Sequence, residues 1–159
     1  MINIKKIKDG ILVIENFYSI LVIFLIFFLD RYSKIYIISN FSDSIYYINN
    51  YLNFSLTWNT GVGFGLFSSE STLIYNSISI LVGIVLIILT YFAIKAKNYE
   101  KITFAIVIGG ALGNFYDRLF FNAVPDFIDL HYQDNHWFTF NIADIFISIG
   151  LIFYITSEL

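Results

Sequence analysis

Seven ionisable side chains stand out because they lie at the ends of apolar runs or in the connections beside them: Asp30, Lys34, Asp117, Arg118, Asp126, Asp129 and Asp144. A charge in or beside lipid is costly, so each needs a partner or a task. Asp30 and Lys34 are four residues apart, share a face on a helix and can form an ion pair. Asn114 meets Asp117 and Arg118 at spacings of three and four, a hydrogen-bonding cluster on one helical face and a polar scaffold for a site. Asn141 and Asp144 have the spacing of a capping box, in which Asn accepts from the backbone and the acid reaches back. Asp144 also has Asp126 and Asp129 just upstream. Two carboxylates together in a low-dielectric setting cannot both ionise cheaply, so one keeps its proton near neutral pH. Such a pair can activate water and protonate a leaving amine. Spacing alone leaves Asp126 and Asp129 as alternatives for the partner of Asp144.

Other chemistries fit less well. His131 and His136 are five apart, which does not put them on one helical face, and no HExxH is present. They read as interfacial histidines, and no metal site is expected. There is no GxSxG elbow, and Ser33 beside Lys34 points the wrong way on a helix for a serine–lysine pair. Asn59-Thr60-Gly61 echoes an aspartic-protease loop with Asn in place of the acid, and reads as a turn. The chain has no Cys, which removes disulfides, thiolate metal sites and a cysteine nucleophile. No basic patch suggests nucleic acid.

The elements that must position these groups are membrane spans. Of the 159 residues 58% are hydrophobic and 13% charged, against about a quarter charged in a soluble domain. Four apolar runs, roughly Phe17 to Ile38, Leu73 to Ile94, Ile102 to Phe121 and Asn141 to Leu159, are each long enough as helices to cross a bilayer core. With one Pro and no Ser/Gly-rich tract, the expectation is a single integral membrane domain over 1–159. Lys5, Lys6 and Lys8 precede the first run, and Lys95, Lys97 and Lys101 lie between the second and third. By the positive-inside rule those regions are cytoplasmic, as are both termini, and the seven ionisable groups gather toward the outer face. The basic start followed by Phe17 to Leu29 could pass for a signal peptide. No small-residue cleavage site is visible and the apolar run resumes at Ile35, so a retained first span is expected.

Between the first two spans, Leu52, Phe54, Leu56 and Trp58 alternate with polar residues, the period of a strand. The alternation resumes at Val62, Phe64 and Leu66, which predicts a hairpin within an outer β region over about 45–68. The connection Asn122 to Phe140 holds Tyr132, Trp137 and Phe138 and reads as interfacial. Gly109 and Gly113 form a small-xxx-small face for close helix packing. The expected class is an all-α membrane protein of four transmembrane helices with a small extracytoplasmic β-hairpin or sheet.

In these segments the chain resembles the bacterial lipoprotein signal peptidases, also called signal peptidase II. Leu29-Asp30-Arg31-Tyr32-Ser33-Lys34 looks like the family's LDxxxK, and Asn59 to Gly65 like its NTGAAF segment. Gly109 to Leu119 is the strongest match, Val124-Pro125-Asp126-Phe127 is similar to VVDF, and Phe140 to Asp144 to FNxAD. The resemblance implies that Asp126 and Asp144 are the catalytic acids. It also implies that Asp30, Lys34, Asn59, Gly61, Asn114, Asp117, Arg118 and Asn141 support the site or bind substrate. Two positions depart from the pattern: Gly63 replaces a usual Ala, and Pro125 a usual Val, with a locked φ and one donor fewer beside Asp126. The implied reaction is removal of the signal peptide from diacylated prolipoproteins, before the lipidated cysteine, at the outer face of the bacterial cytoplasmic membrane. Membrane lipid is the one further partner implied; no cofactor and no obligate protein partner is. The alternative from another class is a small membrane carrier or scaffold whose Asp30, Asp117 and Asp144 line an ion path, although inverted repeats and broken helices are missing.

Overall fold

A computed structural model of the chain describes residues 14–61, 72–133 and 135–157. Among them are four helices and four strands. The helices are α1 (Ile14–Phe41), α2 (Thr72–Lys95), α3 (Asn98–Phe121) and α4 (Ile142–Ser157), and the strands are β1 (Tyr46–Asn49), β2 (Leu52–Asn59), β3 (Val124–Tyr132) and β4 (Asn135–Phe140). The helices coincide with the four apolar runs. Two of them, α2 and α3, are long and apolar enough to cross a membrane, and α4 is a shorter apolar helix.

The distribution of side chains is inverted relative to a protein folded in water. Phe24, Leu25 and Phe28 on α1, Leu81 and Ile87 on α2 and Ile152 on α4 are exposed, whereas Asp30, Lys34, Asp117 and Asn141 are 0% exposed. Apolar groups turned outward and charges turned inward are what a hydrocarbon solvent selects.

Helix α3 is the central element. A Cβ on Gly109 would lie 2.9 Å from Cβ of Ile26, and one on Gly113 would fall on the Asp30 carboxylate, so the small-residue face lets α1 and its charge approach the α3 backbone. One residue round the helix, a Cβ on Gly110 would lie 2.6 Å from the Ala143 carbonyl oxygen of α4. Three glycines thus bring α1 and α4 against α3 at the level of the polar groups. Asn122, in the left-handed conformation at φ 55°, ends α3 and starts the chain into β3.

The β region differs from the expectation. All four strands form one antiparallel sheet in the order β1-β2-β3-β4. The predicted strand over Leu52–Trp58 is present as β2, but its neighbours are β1 and β3, and the expected partner over Val62–Leu66 lies outside the described residues. The connection Asn122 to Phe140, read as interfacial, supplies β3 and β4. Alternation is masked there because β3 is buried along Val124 to Phe127 and carries Pro125 near its start. Pro125 is accommodated beside an irregularity in register between Phe54 and Thr57. The sheet therefore draws strands from both connections and carries Asp126 to the end of the bundle where Asp144 begins α4.

Candidate active site

Two carboxylates hang from a frame of three asparagines. Asn59 Nδ2 donates to Asp126 Oδ2 at 2.8 Å, and Asn141 Nδ2 donates to Asp126 Oδ1 at 2.6 Å. Asn114 Nδ2 donates to Asp144 Oδ1 at 2.9 Å, and the Asn141 backbone N–H reaches Asp144 Oδ2 at 3.3 Å. Every oxygen of the pair accepts an N–H. None of the amides is free to turn over, because each carbonyl oxygen is engaged: Asn59 Oδ1 by the Gly61 N–H (2.8 Å), Asn141 Oδ1 by the Asp144 N–H (3.1 Å) and Asn114 Oδ1 by Lys34 Nζ (2.8 Å). Asn141 serves both acids and links β3 to α4. The capping box read from sequence is present, and its Asn is also a ligand of Asp126.

A second layer sets that frame. Lys34 Nζ, fully buried, also donates to Asp30 Oδ2 and Asp117 Oδ2, each at 2.7 Å. The other Asp30 oxygen accepts from the Ala143 N–H at 3.0 Å, in the first turn of α4. Asp117 is also paired with Arg31. Arg118 donates to the Gly61 carbonyl, and Tyr75 Oη donates to the Arg118 carbonyl at 2.8 Å. Thus Asn114, Asp117 and Arg118 do lie on adjacent turns, but their partners are on other elements rather than on one another. Spacing along the chain does not single out Arg31 or Tyr75. Arg31 neighbours Asp30 yet turns to Asp117, packing 4.7 Å over the Tyr116 ring, and only the assembled bundle shows this.

Asp126 is 2% exposed. Burial, and after it the Asp144 carboxylate, push its pKa up to about 7 against the pull of the two Asn donors and Lys34. Near neutral pH this acid holds a proton for much of the time. Asp129 belongs elsewhere: by the two-residue period of β3 it faces away from Asp126, and its Oδ2 lies 2.7 Å from His136 Nδ1. Below the acids an apolar groove of about 510 Å³ runs between α2, α3 and α4, lined by residues including Leu81, Val85, Ala111 and Ile147, with Asn114, Arg118 and Asp144 on its wall.

A family model described as signal peptidase (SPase) II matches residues 22–159. The chain is 49% identical over 150 residues to a lipoprotein signal peptidase of Pelagibacter ubique (strain HTCC1062), covering 92% of this chain and 90% of that protein. It is 37% identical over 148 residues to one of Anaplasma phagocytophilum (strain HZ), covering 91% and 94%. Two solved structures described as bacterial membrane enzymes superpose with TM-scores of 0.73 and 0.70 at 34% and 35% identity. Each covers 89% of this chain, and the coverage of those chains is 87% and 92%.

Proposed function

The chain belongs to the signal peptidase II family, and from that membership we propose an aspartyl endopeptidase that uses Asp126 and Asp144 to cut diacylated prolipoproteins before the lipidated cysteine. The observation that carries the reading is the pair of carboxylates whose oxygens are all held by N–H donors and whose orientations are tied through Asn141. Asp144, in the first turn of α4 where the helix dipole favours an anion, takes a proton from water as general base. Water attacks the scissile carbonyl. Asp126, with its raised pKa, gives its proton to the departing amine. The apolar groove beside Asp144 suits the hydrophobic stretch of the signal peptide. Arg118 Nη1, buried and without a partner among the described residues, is a donor left for a substrate carbonyl. An ion path is not needed to account for Asp30 and Asp117, since Lys34 and Arg31 occupy both.

The test is purified protein incubated with a diacylated prolipoprotein and watched for release of the signal peptide. Cleavage is expected without an added cofactor, and no cleavage of a lipidated substrate would defeat the reading. The sign of the pH dependence follows from Asp126. As pH rises through about 7 the proton it donates is lost, so the rate is expected to fall on the alkaline side.

The same reading makes this a single domain of four spans with both termini cytoplasmic and the site toward the outer face of the bacterial cytoplasmic membrane. Lys95, Lys97 and Lys101 flank the α2–α3 turn, at the opposite end of the helices from Lys34 and Asp144. Reporter fusions after Lys97 are expected to report cytoplasm, and fusions near Ser68 the outside. The opposite pattern would invert the orientation.

A further inference from the structure

On the face of the sheet turned away from Asp126, three side chains that the peptidase chemistry does not use converge. Asp129 and His131 are two apart on β3, and His136 is the cross-strand partner of His131 on β4. A spacing of five, which separates two side chains on a helix, places these two opposite each other on a hairpin. One ligand atom from each residue can be chosen so that all lie within 4.8 Å of one another. Asp129 Oδ2 is 2.7 Å from His136 Nδ1 and 3.8 Å from His131 Nδ1. Donors on a tetrahedral ion with bonds of about 2.0–2.1 Å stand roughly 3.3 Å apart, midway between those distances.

A second observation points to a ligand. Asp129 and His131 have side chains only 4% and 7% exposed, and Asp129 Oδ1 and His131 Nδ1 have no hydrogen-bond partner among the described residues. Buried polar atoms left unpaired destabilise a protein, and an ion held by His131 Nδ1 and the Asp129 carboxylate gives that imidazole nitrogen the partner it lacks. The surroundings also suit a metal-binding tautomer. Asn53, paired with Asp129 across β2, lies 3.5 Å from His131 Nε2, and its Oδ1 has no partner among the described residues either. With the Asn53 amide turned so that Oδ1 accepts from Nε2–H, the Nδ1 lone pair of His131 is left for the ion, an arrangement typical of metal-bound imidazoles. His136, 55% exposed, supplies the route from solvent.

We propose that Asp129, His131 and His136 form a binding site for a borderline divalent transition-metal ion, Zn²⁺ in the first instance, that clamps β4 to β3. Two imidazoles and a carboxylate favour such an ion over Mg²⁺ or Ca²⁺, which take oxygen ligands. The site is separate from the catalytic pair, so its failure would leave the peptidase reading intact.

The experiment is titration of the full chain, purified in detergent with a tag lacking histidine, with ZnCl₂ and with MgCl₂, followed by calorimetry and thermal unfolding. One Zn²⁺ per chain is expected, with a rise in Tm that MgCl₂ does not reproduce. His136→Ala changes an exposed side chain and leaves the fold intact. It is expected to weaken Zn²⁺ by about a hundredfold or more, because even partners one shell further out are worth about 10- to 100-fold. Asp129→Asn is expected to weaken it similarly, and both variants to cleave prolipoprotein like the parent in metal-free buffer. Zn²⁺ binding that is absent from the parent, or unchanged in His136→Ala and Asp129→Asn, would overturn the proposal.

Discussion

Asp126→Asn and Asp144→Asn are each expected to insert, fold and bind substrate yet lose cleavage by about 10²- to 10⁴-fold, the usual contribution of a positioned acid or base. The double variant should be little slower than either single one, because the two groups act as a unit. Neither change is innocuous to the frame. Both oxygens of Asp126 accept N–H groups, and Asn can offer only one oxygen, so its NH₂ must face the NH₂ of Asn59 or Asn141. Those amides cannot turn over to relieve the conflict without releasing the Gly61 or Asp144 N–H. A stability loss of about 1–3 kcal/mol should therefore accompany the loss of rate. Thermal unfolding and cleavage measured on the same preparations separate the two effects. Asp129→Asn is the control, expected to keep substantial activity because Asp129 faces His136 rather than the pair. A dead Asp129→Asn beside an active Asp126→Asn would mean that the wrong acid of β3 has been chosen.

That choice illustrates what could be read from the sequence. Spacing along one element is informative about that element. The Asp30–Lys34 pair, the Asn141–Asp144 cap and the close approach at Gly109 and Gly113 were all legible, and all are present. Spacing is silent about partners on other elements. Asn114 bridges Lys34 on α1 to Asp144 on α4, and nothing along α3 indicates either contact. Asp126 and Asp129 are equivalent acids until strand period and pairing separate them. The resemblance to a family selects Asp126, and in the structure Asn141 donates to that acid while accepting from the Asp144 N–H. The sheet was half legible because β2 alternates, whereas β3 is buried on both faces near Pro125 and hides its period. Helical spacing separates the two histidines, whereas the structure sets them opposite each other across a β-hairpin.

Lys34→Met is the second large effect expected, and it acts on stability first. Lys34 Nζ is the cation for Asp30 and shares Asp117 with Arg31, and both of its ion pairs are buried. Methionine keeps roughly the length of the side chain and removes the charge. Asp117 retains Arg31, but Asp30 is left with the Ala143 N–H and no counter-charge. Removing one partner of a buried pair typically costs about 3–5 kcal/mol, so a large fall in Tm is expected in detergent. The same substitution should lower cleavage in whatever folded protein remains. Without Lys34 the Asn114 amide loses the bond that orients it, and Asp144 Oδ1 then loses its donor. A double-mutant cycle with Asn114→Ala tests that route. If Lys34 positions Asp144 through Asn114, adding Lys34→Met to Asn114→Ala should lower stability further while changing the cleavage rate little. Additive losses of rate would show that Lys34 acts on the acids by another path, its own charge beside Asp126 and Asp144 being the one available.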